Sequence, residues 1–132
     1  MKLKEYQEQA MTTCMPSSEN FSYMFLNLVG EVGEFASKVA KSIRKGQAQI
    51  GGFIDSGTPP QNVLTFKQFA NCVEQETELK KEAGDILWQL SGLCTVMGWA
   101  LEDIAKMNLD KLAARKAIGT IDGNGDGIVR GK

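Results

Sequence analysis

The chain has 132 residues, 42% apolar and 23% charged, a balance typical of one globular domain and unlike a disordered segment. A formal charge of -1 and a pI near 5.5 offer no bulk attraction to a polyanion, so a nucleic-acid surface is not expected. Three cysteines, no histidine and no CxxC spacing argue against a zinc site and against Cys-His catalysis.

Met1 to Gln9 is polar and charged and lacks the apolar stretch of a secretory signal. The longest mainly apolar stretch, Gly92 to Leu101, has ten residues, against the roughly 20 that span a bilayer. A cytoplasmic protein without a membrane segment is expected. Leu3 to Cys14 reads as a short helix, and Pro16 with Ser17 and Ser18 interrupts it and offers an N-cap to the next. From Asn20 to Lys45, Leu28, Val32, Phe35, Val39 and Ile43 recur at spacings of three and four, the pattern of a long helix with one apolar stripe, and Gly46 ends it.

Gly46 to Pro60 is rich in glycine and carries a double proline, which excludes a regular helix or a central strand and predicts a loop. Val63 to Val73 has an ambiguous period and no assigned structure. Leu79 to Met97 carries Ile86, Leu90, Leu93 and Met97 on one face before Gly98, and Leu101 to Ile118 forms a last helix closed by Gly119. The expected fold is all-α, an antiparallel bundle of about four main helices in a single domain spanning 1–132. Residues 46–76 form an insertion, and 119–132 an irregular glycine-rich tail.

Functional groups of a bundle lie on the inward faces of its helices, and two carboxylate pairs meet that condition. Glu31 and Glu34 stand one turn apart beside the stripe residues Leu28 and Phe35. Glu82 and Asp85 repeat the arrangement beside Ile86 and Leu90. Singly, such a spacing is usually a solvated helix face. Both pairs, however, border a core stripe and are followed by small residues that permit close approach, Gly33 and Ala36 in one helix and Ala83 and Gly84 in the other. If the stripes pack together, four carboxylates converge. Two unit charges about 4 Å apart repel by about 4 kcal/mol at an effective dielectric of about 20, so such a cluster needs a cation or protons. An all-oxygen donor set suits Mg²⁺ or Mn²⁺, with coordination room for phosphate oxygens.

The ordered segments LKEYQEQA, GEVGEFASKVAK, EAGDILWQL, NLDKLAAR and GNGDGIVR resemble the MazG-like nucleotide pyrophosphohydrolases over nearly the whole chain outside 46–76. The resemblance implies an α-helical homodimer or homotetramer that cleaves a nucleoside triphosphate to the monophosphate and pyrophosphate. It implies that Glu31, Glu34, Glu82 and Asp85 hold Mg²⁺, with Glu34 favoured to orient or deprotonate the attacking water. It also implies that Asn108 and Lys111 contact nucleotide phosphates, with Arg115 on the same face. The glycine-rich tail would present backbone N–H groups and Arg130 to an anion, while Asp126 orients a basic neighbour.

Lys38 and Lys41 lie four and seven residues beyond Glu34, on the same helical side, and are candidates either for the triphosphate or for simple ion pairing. Asp122, Asn124, Asp126 and Gly127 match the start of an EF-hand loop. Counted from Asp122 as position 1, position 12 would fall at 133, so calcium binding is not expected. Two departures from the resembling family stand out. Glu34 and Glu82 are separated by 47 residues, and Gln89 occupies a position where many relatives have tyrosine in the nucleotide pocket. Trp88 and Trp99 read more readily as core or interface residues than as base-stacking platforms, so the base is left open. Competing readings are a catalytically inactive oligomerisation or regulatory module, a dUTPase-like relative, and a guanosine tetraphosphate-degrading relative.

Overall fold

The computed structural model of the protein describes residues 1–51, 62–67 and 72–119. The described residues contain four α-helices and one small antiparallel sheet. In chain order these are α1 (Leu3–Met11), a 3-10 turn (Pro16–Ser18), α2 (Phe21–Arg44), β1 (Ala48–Ile50), β2 (Leu64–Phe66), α3 (Cys72–Val96) and α4 (Leu101–Ala117). The expected all-α architecture holds, with the short sheet added within the expected insertion.

Two compact units divide the chain, one made of Met1–Phe21 with the chain from Ser91 onward, the other of Ser22–Leu90. Within the second unit α2 and α3 run antiparallel. Their cross-contacts descend in register, from Met24 with Gln89, through Lys38 with Glu82, to Ser42 with Gln75. Met24 is fully buried and Leu79 and Ala48 nearly so. Of the expected α2 stripe, Leu28, Phe35 and Val39 are half-buried, whereas Val32 and Ile43 are exposed. The buried face is rotated from the expected stripe toward Met24, Glu31 and Lys38, which recur at intervals of seven.

The expected loop from Gly46 to Pro60 begins with a short edge strand, which the exclusion of a helix or a central strand leaves open. Ala48, Gln49 and Ile50 pair with Phe66, Thr65 and Leu64. A ribbon of three residues per strand uses only edge pairing, which glycine-rich surroundings tolerate. Gly46 turns the chain out of α2 at a φ of +72°, a conformation costly for residues with a Cβ. Its N–H donates to the Ile43 carbonyl, and Gln47 N–H to that of Ser42, so the helix end is satisfied before β1 begins. Helix α3 also starts seven residues earlier than expected, at Cys72 instead of Leu79.

In the first unit, α1 ends at Met11, three residues short of the expected Cys14. Ser17 and Ser18 belong to the 3-10 turn rather than capping α2, and Asn20 Nδ2 donates to the Ser17 carbonyl. The side chain of Gln7 ties α1 to the α3–α4 connection. Its Nε2 donates to Thr95 Oγ1 and to the Trp99 carbonyl, and its Oε1 accepts from the N–H of Leu101, the first residue of α4. Cys94, Leu101 and Ala10 are the buried apolar residues among those described in this unit. No helix among the described residues is long and apolar enough to cross a membrane.

Candidate functional site

The antiparallel register of α2 and α3 determines which acids meet. Glu31 lies seven residues beyond the buried Met24, so it shares the packed face of α2 and is half-buried. Glu82 comes seven residues before the buried Gln89 and its side chain is only 12% exposed, while Asp85 sits at the exposed edge of the same face. Carboxylate oxygens of Glu31, Glu82 and Asp85 lie within 4.8 Å of one another. Glu34, one turn further along α2, is exposed and is not one of these three.

Crowding of like charge is visible at Glu31. Partial burial pushes its carboxyl above the ordinary carboxylate range, and the charges of Asp85, Glu82 and Glu34 push it in the same direction. Lys38 offsets part of this charge, its Nζ lying 2.7 Å from Glu82 and 3.9 Å from the exposed Glu78. The hydrogen bond to Glu82 raises the Lys38 ammonium above its usual value, with the charges of Glu82, Glu78 and Glu34 adding to it. Three clustered carboxylates and the one ammonium paired with them leave a formal charge of -2. An all-oxygen donor set of that charge fits a hard divalent cation in its donors, its charge and its open side at Asp85.

The small residues have a different role from the one expected. A Cβ added at Gly33 or Gly84 would meet no heavy atom within 4 Å among the described residues, so neither glycine lets α2 and α3 approach each other. The acids converge through side-chain reach across the α2–α3 seam instead.

Asn108, Lys111 and Arg115 stand on α4 in the first unit. Their spacing places them along one helical face, with Asn108 exposed and Lys111 and Arg115 half-buried. Asp126 and Arg130 lie outside the described residues. Gln89 is buried, and its Nε2 donates to the Met24 sulfur at 4.0 Å, so in this chain the position serves the α2–α3 core. Trp88 is half-buried and Trp99 exposed.

Sequence reasoning overlooked Lys45, Ser42, Gln47 and Gln75, which line a concavity with Lys38 and Lys41. The spacing of Lys38, Lys41 and Lys45 could have been read as one helical face. The glutamines could not, because their approach depends on the hairpin and on the early start of α3.

The sequence model of the MazG nucleotide pyrophosphohydrolase domain matches residues 19–118. The chain is similar to the Gene 37 protein of Mycobacterium phage L5, with 33% identity over 110 residues that cover 83% of this chain and 78% of that protein. No solved structure matches the chain.

Proposed function

Since the chain belongs to the MazG nucleotide pyrophosphohydrolase family, whose members generally depend on a divalent metal, we propose that it hydrolyses a (deoxy)nucleoside triphosphate to the monophosphate and pyrophosphate. On this reading Glu31, Glu34, Glu82 and Asp85 hold Mg²⁺ or Mn²⁺, and the whole of 1–132 acts as one domain. The observation that carries the reading is the convergence of Glu31, Glu82 and Asp85 across the α2–α3 seam in a family of this chemistry.

The chemistry such a cation supplies is Lewis-acid polarisation and a more acidic bound water. In the reaction a water oxygen adds to the α-phosphorus. The bond from that phosphorus to the oxygen bridging toward the β-phosphate breaks, and its electron pair leaves with pyrophosphate. Glu34 is assigned the water's proton, because it is exposed beside the cluster and makes no ion pair among the described residues. Glu31 and Glu82, being half-buried, keep fixed positions on the packed face. Lys38 is assigned to substrate phosphate, exchanging its bond to Glu82 for a phosphate oxygen. Asn108, Lys111 and Arg115 are assigned to nucleotide phosphates on the strength of the family pattern, and Asp126 and Arg130 in the tail to substrate binding.

Assembly as a homodimer or homotetramer belongs to the same proposal. Leu26, Val29 and Val32 on α2 are 65%, 59% and 50% exposed, an apolar strip that a lone chain leaves in water. Gly30 and Gly33 sit beside that strip with open space where a Cβ would stand. Each helical glycine costs about 1 kcal/mol relative to alanine, and close approach of a second helix would account for keeping them.

The test is incubation of the pure protein with each (d)NTP and Mg²⁺, resolving monophosphate, diphosphate, phosphate and pyrophosphate. Paired monophosphate and pyrophosphate are expected for at least one nucleotide. No hydrolysis across the panel, guanosine tetraphosphate included, would overturn the proposal.

A further inference from the structure

Beyond the acids, α2 changes sign along one face. Glu31, Glu34, Lys38 and Lys41 follow at intervals of three and four and form a single line along the helix, acidic at one end and basic at the other, which Lys45 extends just past the last helical residue, its N–H donating to the Lys41 carbonyl. The basic end lines a cavity of ≈ 250 Å³ with Ser42 and Leu79 and the polar side chains of Gln47, Gln75 and Glu78. That volume is several times the about 30 Å³ of a water molecule.

Three features mark this cavity as more than a solvated helix end. Its charge is three lysines against the single carboxylate of Glu78. Among the described residues no carboxylate lies within 4.0 Å of Lys41 or Lys45, so two of the three ammonium groups have their full donor capacity available. The amides of the wall are also fixed. Gln75 Nε2 donates to Gln47 Oε1 at 2.7 Å, and Ser42 Oγ donates to Gln75 Oε1 at 3.4 Å. This chain uses the oxygen of Gln47 and leaves its own amide N–H groups without a protein acceptor among the described residues. Lysines in the last turn of a helix also complement its dipole, but that effect requires neither a concavity nor ordered amides.

We propose that this cavity is a pyrophosphate subsite, in which Lys41, Lys45 and Gln47 take the two outer phosphates of the substrate and hold the pyrophosphate product. The inference rests on the hydrolase reading for the identity of the substrate and on the cavity for the anion. Its location suits the reaction. With a helix rise of about 1.5 Å per residue, Lys38 lies about 6 Å and Lys41 about 10 Å along α2 from Glu34. An α-phosphate at the carboxylates therefore directs its β- and γ-phosphates toward the lysines. Gln47 directly precedes β1 and its carbonyl accepts from the Lys67 N–H just beyond β2, which gives the base of the inserted hairpin a part in substrate binding.

The test uses the full chain and inorganic pyrophosphate, titrated calorimetrically without and with Mg²⁺, beside a nucleoside monophosphate. The double variant Lys41→Met with Lys45→Met is expected to weaken pyrophosphate binding by about tenfold or more, as loss of two charge-assisted contacts implies. Monophosphate binding should be unchanged, and helicity by circular dichroism should stay that of the parent protein. Gln47→Leu, which leaves the charge alone, should weaken pyrophosphate by a smaller factor. Lys80→Met on the exposed side of α3 is the control for bulk charge.

Pyrophosphate affinity unchanged in the double variant of a protein that hydrolyses triphosphates would overturn the subsite and leave the hydrolase reading intact. Weakened pyrophosphate binding in a protein that hydrolyses nothing would support the subsite while the hydrolase reading fails. Equal losses in Lys80→Met, or equal losses for pyrophosphate and monophosphate, would also overturn the subsite.

Discussion

The two units handle inward-facing polar groups in opposite ways. In the first, Gln7 closes its bonds internally, with its amide nitrogen shared by Thr95 and Trp99 and its oxygen taken by the Leu101 N–H. In the second, Glu31, Glu82 and Asp85 are brought together with one lysine paired to Glu82 and Asp85 open to solvent. A satisfied neutral amide stabilises its surroundings and asks for nothing further. Three carboxylates on a packed seam remain under mutual repulsion until a cation or a proton arrives. The first is a structural clamp and the second a candidate cation site.

Substitution at the acids should therefore cost activity and spare the fold, and substitution at the clamp should do the reverse. Asp85→Asn and Glu34→Gln keep the shape of each side chain and remove its charge. Each is expected to lower kcat by at least about a hundredfold, with helicity by circular dichroism intact. Near-parental turnover in either variant would remove that residue from the site. Gln7→Ala removes three hydrogen bonds and leaves the Leu101 N–H without its partner. It is expected to cost about 2–3 kcal/mol in urea denaturation, with kcat per folded molecule near the parental value.

The outward face of α2 gives an intermediate case, neither clamp nor acid. Val29→Asp puts a charge into the exposed apolar strip, at a position 59% exposed. If that strip is an interface between copies, light scattering should show the parent protein as an oligomer and the variant as a 14.4 kDa monomer. Identical masses would relocate the interface.

How legible each region was in the sequence follows from which physical signal carried it. Helix α2 was expected over Asn20 to Lys45 and spans Phe21–Arg44, and the expected stop at Gly98 has a φ of +73°. Apolar periodicity and a glycine terminator are local signals. Helix α3 was expected to begin at Leu79 because its first turns, Cys72 to Glu78, are mostly polar, and the two of them that line the cavity, Gln75 and Glu78, are polar as well. The β1–β2 pairing is non-local, and three residues per strand are too few to show a period of two. Glu31, Glu82 and Asp85 were legible because both helices present acids at the edge of an apolar face. The phase of α2 was not, since Val32 and Ile43 fit the same spacing as the buried residues yet remain exposed. Lys45, Gln47 and Gln75 were missed because no local pattern marks a cavity assembled from a helix end, a hairpin and a second helix.

The smallest expected effect is the most direct probe of the contrast between clamp and cluster, because it reads the repulsion itself. Partial burial, followed by the charges of Asp85, Glu82 and Glu34, raises the Glu31 carboxyl above the ordinary carboxylate value. The folded protein therefore holds the Glu31 proton more tightly than the unfolded chain does. Between the ordinary value and the raised one, the folded state carries more protons, so this carboxyl's contribution to stability is favourable at low pH and is lost as pH rises through that window. A divalent cation requires the ionised form, so its stabilising increment should grow over the same window. Thermal unfolding in EDTA and in Mg²⁺, from about pH 4 to pH 8, should show the two curves diverging as pH rises. Glu31→Gln, which cannot ionise, should be more stable than the parent in EDTA above the window and should show a smaller increment from Mg²⁺. Curves that remain parallel in the parent protein would mean that the charge at Glu31 is not what the cation relieves.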